Sequence, residues 1–100
     1  MAKKLTGYKL SKYVDFDLDD IFDYTVKHHN FMQAVKYLTD LEIVFNTLVE
    51  NPEIGRKRDE LKLNLYCISD NEHIIFYRIQ ANYIRIVRVL HGSKDMPKHF

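Results

Sequence analysis

The side chains best suited to binding or catalysis are arginines in the second half of the chain. They stand ahead of two β-rich segments and within them, at Arg56, Arg58, Arg78, Arg85 and Arg88. A guanidinium presents five N–H donors in a rigid fork, which fits a carboxylate or a phosphate through paired hydrogen bonds. We therefore predict an anion-binding surface built from these five residues. A solvated face with internal salt bridges is the alternative.

Arg78 and Arg88 stand in the most apolar surroundings. Arg78 ends the run HIIFYR at residues 73–78, and Arg88 lies inside IRIVRVLH at residues 84–91. A charge on a strand with covered faces rarely remains unpaired, because burying an unpaired charge is costly. We predict that a buried arginine here has an acidic partner.

Five histidines offer a second kind of chemistry: His28, His29, His73, His91 and His99. The adjacent pair lacks the i, i+4 spacing of a helical metal site, and the chain has a single cysteine, so we expect no metal and no cofactor. His73 and His91 flank the β-rich pair and could serve in acid–base chemistry, although hydrogen-bonded structural histidines are the favoured interpretation. The sequence contains no glycine-rich phosphate loop and no G-x-S-x-G nucleophile motif.

Length and composition indicate one soluble globular domain over residues 1–100. Hydrophobic residues make up 46% and charged residues 29%, which is ordinary for such a domain. Residues 1–50 hold 6 Lys/Arg against 8 Asp/Glu, whereas residues 51–100 hold 9 against 6. The net charge is only +1, so we expect no direct nucleic-acid binding by the chain alone, while a local arginine cluster could serve an acidic partner.

The remaining global signals favour a cytoplasmic protein. No apolar run approaches the ~18 residues that a membrane span needs. The first seven residues carry charge without the apolar segment of a secretory signal. Cys67 has no second cysteine with which to form an internal disulfide, which agrees with a reducing compartment.

Capping residues and apolar spacing predict two consecutive helices. Ser11 is a plausible N-cap, followed by Asp15, Asp17, Asp19 and Asp20, which we place mainly on a solvated face. Asn30 with Gln33 resembles a capping box that opens the second helix. There, residues 34, 38, 41, 45 and 48 step by four, three, four and three, which is the spacing of an apolar seam. Asn51-Pro52 ends it, because proline forces its predecessor out of the α region.

Alternating sequence predicts strands around this helical hairpin. A short first strand covers residues 6–10, and three antiparallel strands cover roughly residues 63–69, 73–80 and 83–91. Turns at residues 69–72 and 80–83 connect the last three strands. Residues 53–60 are interpreted as a polar loop. The predicted fold is α+β, in the order β-α-α-β-β-β, with the helical hairpin packed on a twisted antiparallel sheet.

The last strand departs from simple alternation. Ile84, Ile86 and Arg88 fall on one side and Arg85 and Val87 on the other, so that neither face is purely apolar. Either a bulge shifts the alternation near Ile86-Val87, or the arginines are partly buried.

Taken in order, these segments resemble the ParE toxins of the RelE/ParE superfamily. The resemblance rests on residues 51–61, 73–78 and 86–92 with Asp95, and upstream on residues 8–11 and 17–24. It covers almost the whole chain. It implies the RelE/ParE-like fold and a bacterial type II toxin that a cognate ParD-like antitoxin neutralises by direct binding, usually in a hetero-oligomer.

The resemblance also implies a target. ParE toxins are associated with inhibition of DNA gyrase, whereas their RelE relatives cut mRNA on the ribosome. A ribonuclease would use His91 with Arg88 and Arg78, but Val89 and Leu90 separate Arg88 from His91, so the expected catalytic pair is at best half present. We therefore expect a protein-binding gyrase inhibitor rather than an enzyme. Two alternatives stay open: a RelE-like ribonuclease, and a non-toxic module that keeps only the antitoxin groove.

Overall fold

The computed structural model describes residues 4–94 and 96–100. Residues 1–3, at the start of the segment tested for a secretory signal, and Asp95, part of the resemblance, lie outside them. The elements in chain order are β1 (Tyr8–Leu10), α1 (Lys12–His28), α2 (Phe31–Glu50), β2 (Arg56–Lys57), β3 (Tyr66–Asp70), β4 (His73–Ile79), β5 (Ile84–His91) and a terminal 3-10 helix (Met96–His99). The predicted α+β class and helical hairpin are confirmed. None of the helices in this described part is long and apolar enough to cross a membrane.

The helices begin and end where the capping residues predict. The Ser11 side chain accepts a hydrogen bond from the Val14 backbone N–H at 3.3 Å, and Asn30 Oδ1 accepts one from Gln33 N–H at 2.8 Å. Each bond satisfies one of the N–H groups that the first turn of a helix leaves free. The second helix ends at Glu50, before Asn51-Pro52.

The sheet is mixed rather than wholly antiparallel. Its strand order is β1-β5-β4-β3-β2, and β1 pairs parallel with β5 while the other pairs are antiparallel. Local alternation indicates that a segment is a strand but carries no information on its distant neighbour, which is why the parallel pair was not predicted.

The interpretation of residues 53–60 as a loop is wrong at its centre. Arg56 and Lys57 form β2, opposite Cys67 and Tyr66. Tyr77 stabilises the turn before β2. Its hydroxyl donates to the Pro52 carbonyl at 2.8 Å and accepts from Gly55 N–H at 3.0 Å. Charged residues are suited to such an edge strand because they discourage pairing with other chains.

The third strand begins at Tyr66 rather than at residue 63. The leucines at positions 61, 63 and 65 alternate within a compact loop, not a strand. Asn64 adopts a positive φ of 62°, and its N–H donates to Asp59 Oδ1 at 2.8 Å. Asparagine tolerates this left-handed conformation better than most residues.

The predicted irregularity in the last strand is present, and both expected causes occur. Phe76 pairs with Arg88 but Tyr77 pairs with Ile86, so that Val87 is an extra residue on β5. This is a β-bulge, which shifts the alternation of the strand. Arg88 is also largely buried, with 19% of its side chain exposed.

The two faces of the sheet have different coverings. The helices pack on one face, around Leu41, Phe45, Tyr77, Ile84 and Ile86. A smaller cluster occupies the other face: Leu65, Cys67, Phe76 and Leu90, with Leu61, Ile74, Val87, Met96 and Phe100 packed against it. The second face is therefore covered only in part, by the loop before β3 and the chain's C-terminal end.

Candidate functional site

Strand pairing places most of the candidate arginines on the sheet face away from the helices. Arg56 lies opposite Cys67, which belongs to the smaller cluster of that face. Arg78 lies opposite Arg85, and Arg85 lies opposite Lys9 on β1. Directly paired residues project to the same side of a sheet. Lys9, Arg85 and Arg78 therefore form a lateral line over three strands, here called the cation row.

Arg58 is paired inside the molecule. Its Nε lies 2.5 Å from Glu60 Oε2, and its Nη1 lies 3.7 Å from the buried sulfur of Cys67. The hydrogen bond that Arg58 donates to Glu60 raises the pKa of Arg58 and lowers the pKa of Glu60. Arg58 is therefore already paired with a carboxylate of the same chain.

Arg88 is held by Asp17 from α1. Its Nε and Nη2 donate to the two carboxylate oxygens of Asp17, each at 2.8 Å, and Asp17 Oδ2 also accepts from Val89 N–H at 3.0 Å. These hydrogen bonds raise the pKa of the Arg88 guanidinium. The predicted need for an acidic partner is met within the chain itself.

The expected solvated position is wrong for Asp17, of which only 7% is exposed. The sequence carries a signal for this burial. Asp17 lies three residues after Val14 and four before Ile21, and both of these neighbours are buried on the same helix face. Asp15, Asp19 and Asp20 are exposed as predicted.

The charges of the cation row are not paired with carboxylates within the described residues. In residues 4–94 and 96–100, no ion pair or side-chain hydrogen bond involves Lys9, Arg78 or Arg85. The Lys9 ammonium instead lies 4.6 Å from the centre of the Tyr83 ring, a favourable cation–π contact. Of the five predicted arginines, Arg56, Arg78 and Arg85 can therefore still accept an anion within the described residues, and Lys9 adds a further charge to the row.

A separate cleft of about 940 Å³ lies between the helices and the ends of β4 and β5. It contains the two histidines singled out from the sequence. Tyr37 Oη and His73 Nδ1 are 2.5 Å apart, and the His73 and His91 rings are 5.4 Å apart and nearly perpendicular. The favoured interpretation of His73 as a hydrogen-bonded structural histidine agrees with this geometry.

Burial sets the titration of this pair. It raises the pKa of Tyr37 to about 12, with Asp70 adding to the effect, so that at neutral pH the hydroxyl stays protonated while it shares a hydrogen bond with His73 Nδ1. Burial also lowers the pKa of His73, as does the neighbouring His91, while Glu72 and Asp70 oppose the shift. Neutral His73 is thus the form that the fold favours.

Acidification should destabilise the protein through His73. The unfolded chain protonates this histidine near its ordinary pKa of about 6.5, but the folded chain does so only at lower pH. Stability is therefore highest above about pH 6.5 and falls as the pH drops toward the folded-state value. Urea denaturation at pH 7.5 and 5.0 measures the free energy of unfolding. The difference between the two pH values should be smaller for His73→Gln than for the unmodified protein.

His29→Gln is the control, because His29 is exposed. The same difference in all three proteins would contradict the prediction.

The three residues that a ribonuclease would use, His91, Arg88 and Arg78, do not lie together. His91 lies opposite His73, on the helix side of the sheet, whereas Arg78 lies on the other side and five residues along β4 from His73, roughly 17 Å at the rise of a strand. Arg88 is occupied by Asp17. His91 Nδ1 accepts from Ser93 N–H at 3.1 Å, and its Nε2 lies 3.7 Å from Glu72.

The His, Cys, Asp and Glu side chains of the described residues do not form a metal site. Among the residues that the structure describes, no group of three or more His, Cys, Asp or Glu side chains is placed to hold a metal ion. The cation row and the cleft are candidate sites within residues 4–94 and 96–100.

The chain resembles known toxins in sequence and in structure. The family model described as the ParE toxin of type II toxin-antitoxin systems, parDE, matches residues 8–96. Toxin ParE1 of Caulobacter vibrioides is 30% identical over 92 residues, which are 92% of this chain and 95% of that protein. Toxin ParE1 of Mycobacterium tuberculosis is 33% identical over 93 residues, with the same two coverages.

Two solved structures share the fold. The chromosomal ParDE system from P. aeruginosa matches with a TM-score of 0.76 at 19% identity, covering 89% of this chain and 98% of that one. A YafQ mutant from E. coli matches with a TM-score of 0.50 at 16% identity, covering 86% and 92%. With the family match over residues 8–96, the conclusion is that the chain belongs to the ParE toxin family of type II toxin-antitoxin systems.

Proposed function

We propose that this toxin inhibits DNA gyrase by binding it, and that a cognate ParD-like antitoxin neutralises the toxin by direct contact in a cytoplasmic hetero-oligomer. The similar P. aeruginosa structure is that of a ParDE toxin-antitoxin system, which supports the same kind of partner here. Binding rather than catalysis is favoured because His91, Arg88 and Arg78 do not converge on a common position.

The observation that carries the antitoxin proposal is an aromatic stripe on α1, formed by Tyr13, Phe16 and Tyr24. These side chains are 53%, 66% and 61% exposed. Their spacing of three and eight residues keeps them on one side of the helix, next to the arc that packs on the sheet. Exposed apolar surface of this kind marks an interaction site.

An amphipathic antitoxin segment fits this stripe. Tyr24 also lines the cleft between the helices and the ends of β4 and β5, together with Asp20 and Lys36. A partner helix could bury its apolar face on the aromatic rings and place polar groups along the cleft. Aromatic anchors supply most of the affinity in such interfaces. Arg56, Arg58, Arg78, Arg85 and Arg88 stay predictions as antitoxin- or target-binding residues, and the internal pairing of Arg58 and Arg88 favours the other three.

Shortening single aromatic side chains of the stripe should weaken antitoxin binding. Phe16→Ala and Tyr24→Ala should each weaken antitoxin binding by about 2 kcal/mol, roughly 30-fold, because a buried aromatic anchor is lost. Isothermal titration against the cognate antitoxin measures the change. Ile43→Ala on α2 is the matched control, since Ile43 is 59% exposed but lies on the other helix. Equal effects of all three substitutions would contradict the stripe as the interface.

The target is tested with the purified toxin in two parallel assays. Inhibition of DNA supercoiling by gyrase, without cleavage of mRNA on translating ribosomes, is the expected result. Cleavage of mRNA that His91→Ala abolishes would overturn the proposal in favour of a ribonuclease. Expression without the antitoxin should arrest growth, and normal growth would indicate a module that has lost its toxicity.

A further inference from the structure

The cation row is an unusual arrangement for a sheet. Lys9, Arg85 and Arg78 lie directly beside one another on β1, β5 and β4. Neighbouring strands are about 4.8 Å apart, so the row spans roughly 10 Å. Like charges directly opposite each other on paired strands destabilise a sheet. The row therefore costs stability, and an anion bound across it would remove that cost.

Other arginines of the same fold show how such a charge is normally neutralised. Arg58 has Glu60, and Arg88 has both carboxylate oxygens of Asp17. Within the described residues, neither Arg78 nor Arg85 has a comparable carboxylate, although both are partly buried. Their guanidinium forks are held on a stiff backbone with their donors free.

We propose that the cation row is a binding site for the sugar-phosphate backbone of nucleic acid. A row of about 10 Å can meet two or three consecutive phosphates of one strand. The arginines offer paired donors to phosphate oxygens, and Lys9 adds a compact charge at the end of the row. Such contacts position a strand without reading its sequence.

An acidic protein segment is the competing ligand, and the surroundings of the row disfavour it. Protein interfaces draw most of their affinity from apolar anchors. None of the exposed large apolar side chains in the described residues lies on β4 or β5, and most lie on α1 and α2. A row of charges without exposed large apolar side chains on β4 or β5 suits a polyanion, for which charge neutralisation supplies the affinity.

This site departs from the expectation, based on the net charge of +1, that the chain alone does not bind nucleic acid. Net charge describes adhesion by the molecule as a whole, whereas the row concentrates three positive charges on one face. The inference concerns binding by the toxin alone and does not depend on gyrase being the target. It leaves the aromatic stripe on α1 free, because the row lies on the opposite face of the sheet.

Fluorescence anisotropy with a labelled 20-nucleotide single strand, and with its duplex, tests the site in the absence of gyrase. Three phosphate contacts predict that the logarithm of the association constant falls against the logarithm of salt concentration with a slope of about −2 for the single strand and about −3 for the duplex. The triple variant Lys9→Gln, Arg78→Gln, Arg85→Gln should lose at least about tenfold in affinity at low salt, and most of this slope.

A charge-matched triple variant provides the control. Lys12→Gln, Lys27→Gln, Lys36→Gln removes the same three charges from α1 and α2, and it should stay within about threefold of the unmodified toxin because phosphate contacts act locally. Thermal unfolding checks the fold: removal of like charges should leave the row variant at least as stable as the unmodified protein. Should the triple variant not fold, the pair Lys9→Gln, Arg85→Gln should reduce the slope by about two thirds.

Three results would overturn the proposal. The first is equal binding by the row variant and the unmodified toxin. The second is equal loss of affinity in the two charge-matched triple variants, which would indicate an effect of net charge. The third is tighter binding of a poly-glutamate peptide of matched charge through the same three residues, which would assign the row to an acidic protein segment.

Discussion

Replacing Asp17 by alanine should lower the free energy of unfolding by about 3–5 kcal/mol, the usual cost of removing one member of a buried ion pair. The substitution leaves the largely buried Arg88 guanidinium and the Val89 N–H without their acceptor. Urea denaturation monitored by circular dichroism measures the loss. For a 100-residue domain, a change of this size removes a large part of the total stability.

Asp19→Ala is the matched control, because Asp19 lies on the same helix and is exposed. It should change stability by less than about 0.5 kcal/mol. The double variant Asp17→Ala, Arg88→Ala should be less destabilised than the sum of the two single variants, since it leaves no unpaired guanidinium. A loss below about 1 kcal/mol for Asp17→Ala would mean that the pair contributes little.

Gly55→Ala should destabilise the protein by about 3 kcal/mol. A Cβ at this position would collide with the Tyr77 hydroxyl and lie 2.7 Å from the Cys67 carbonyl oxygen. Overpacking costs about 1–3 kcal/mol, and displacing Tyr77 would also disturb its hydrogen bonds to Pro52 and Gly55, at about 1–3 kcal/mol more. The Cys67 carbonyl cannot move away easily, because Cys67 pairs with strands on both sides.

Gly7→Ala separates this collision from a general effect of glycine replacement. No atom lies within 4 Å of a Cβ built on Gly7, so stability should stay within about 0.5 kcal/mol. Tyr77→Phe should lose about 1–3 kcal/mol, because it removes the hydrogen bonds without adding volume. Unchanged stability of Gly55→Ala would show that the turn before β2 can move.

Features encoded by nearby residues could be predicted from the sequence. Ser11 and Asn30 cap helices because their side chains bond N–H groups three residues away. The broken alternation around Val87 likewise indicated the bulge. Both signals depend on chemistry within a few residues, which single-sequence reasoning can follow.

Features that depend on distant pairing could not be predicted in the same way. β2 is a strand because residues 66 and 67 provide its partners, and the parallel β1–β5 pair joins segments about 75 residues apart. Five arginines were predicted to form one surface, but only the register of the sheet shows that Arg78 and Arg85 are neighbours and that Lys9 completes their row. The partner of Arg88 lies 71 residues away.

The position of Asp17 has a consequence for how a partner can bind. Beyond the three residues of β1, the outer backbone of β5 is occupied by α1: Ser11 bonds the carbonyl groups of Ile86 and Val87, and Asp17 bonds the Val89 N–H. The opposite margin of the sheet is the two-residue β2. A foreign strand would find few unpaired backbone groups along β5, so recognition by β-augmentation is disfavoured at the β5 margin. An antitoxin or a target should instead engage the side chains of the helices and of the sheet faces.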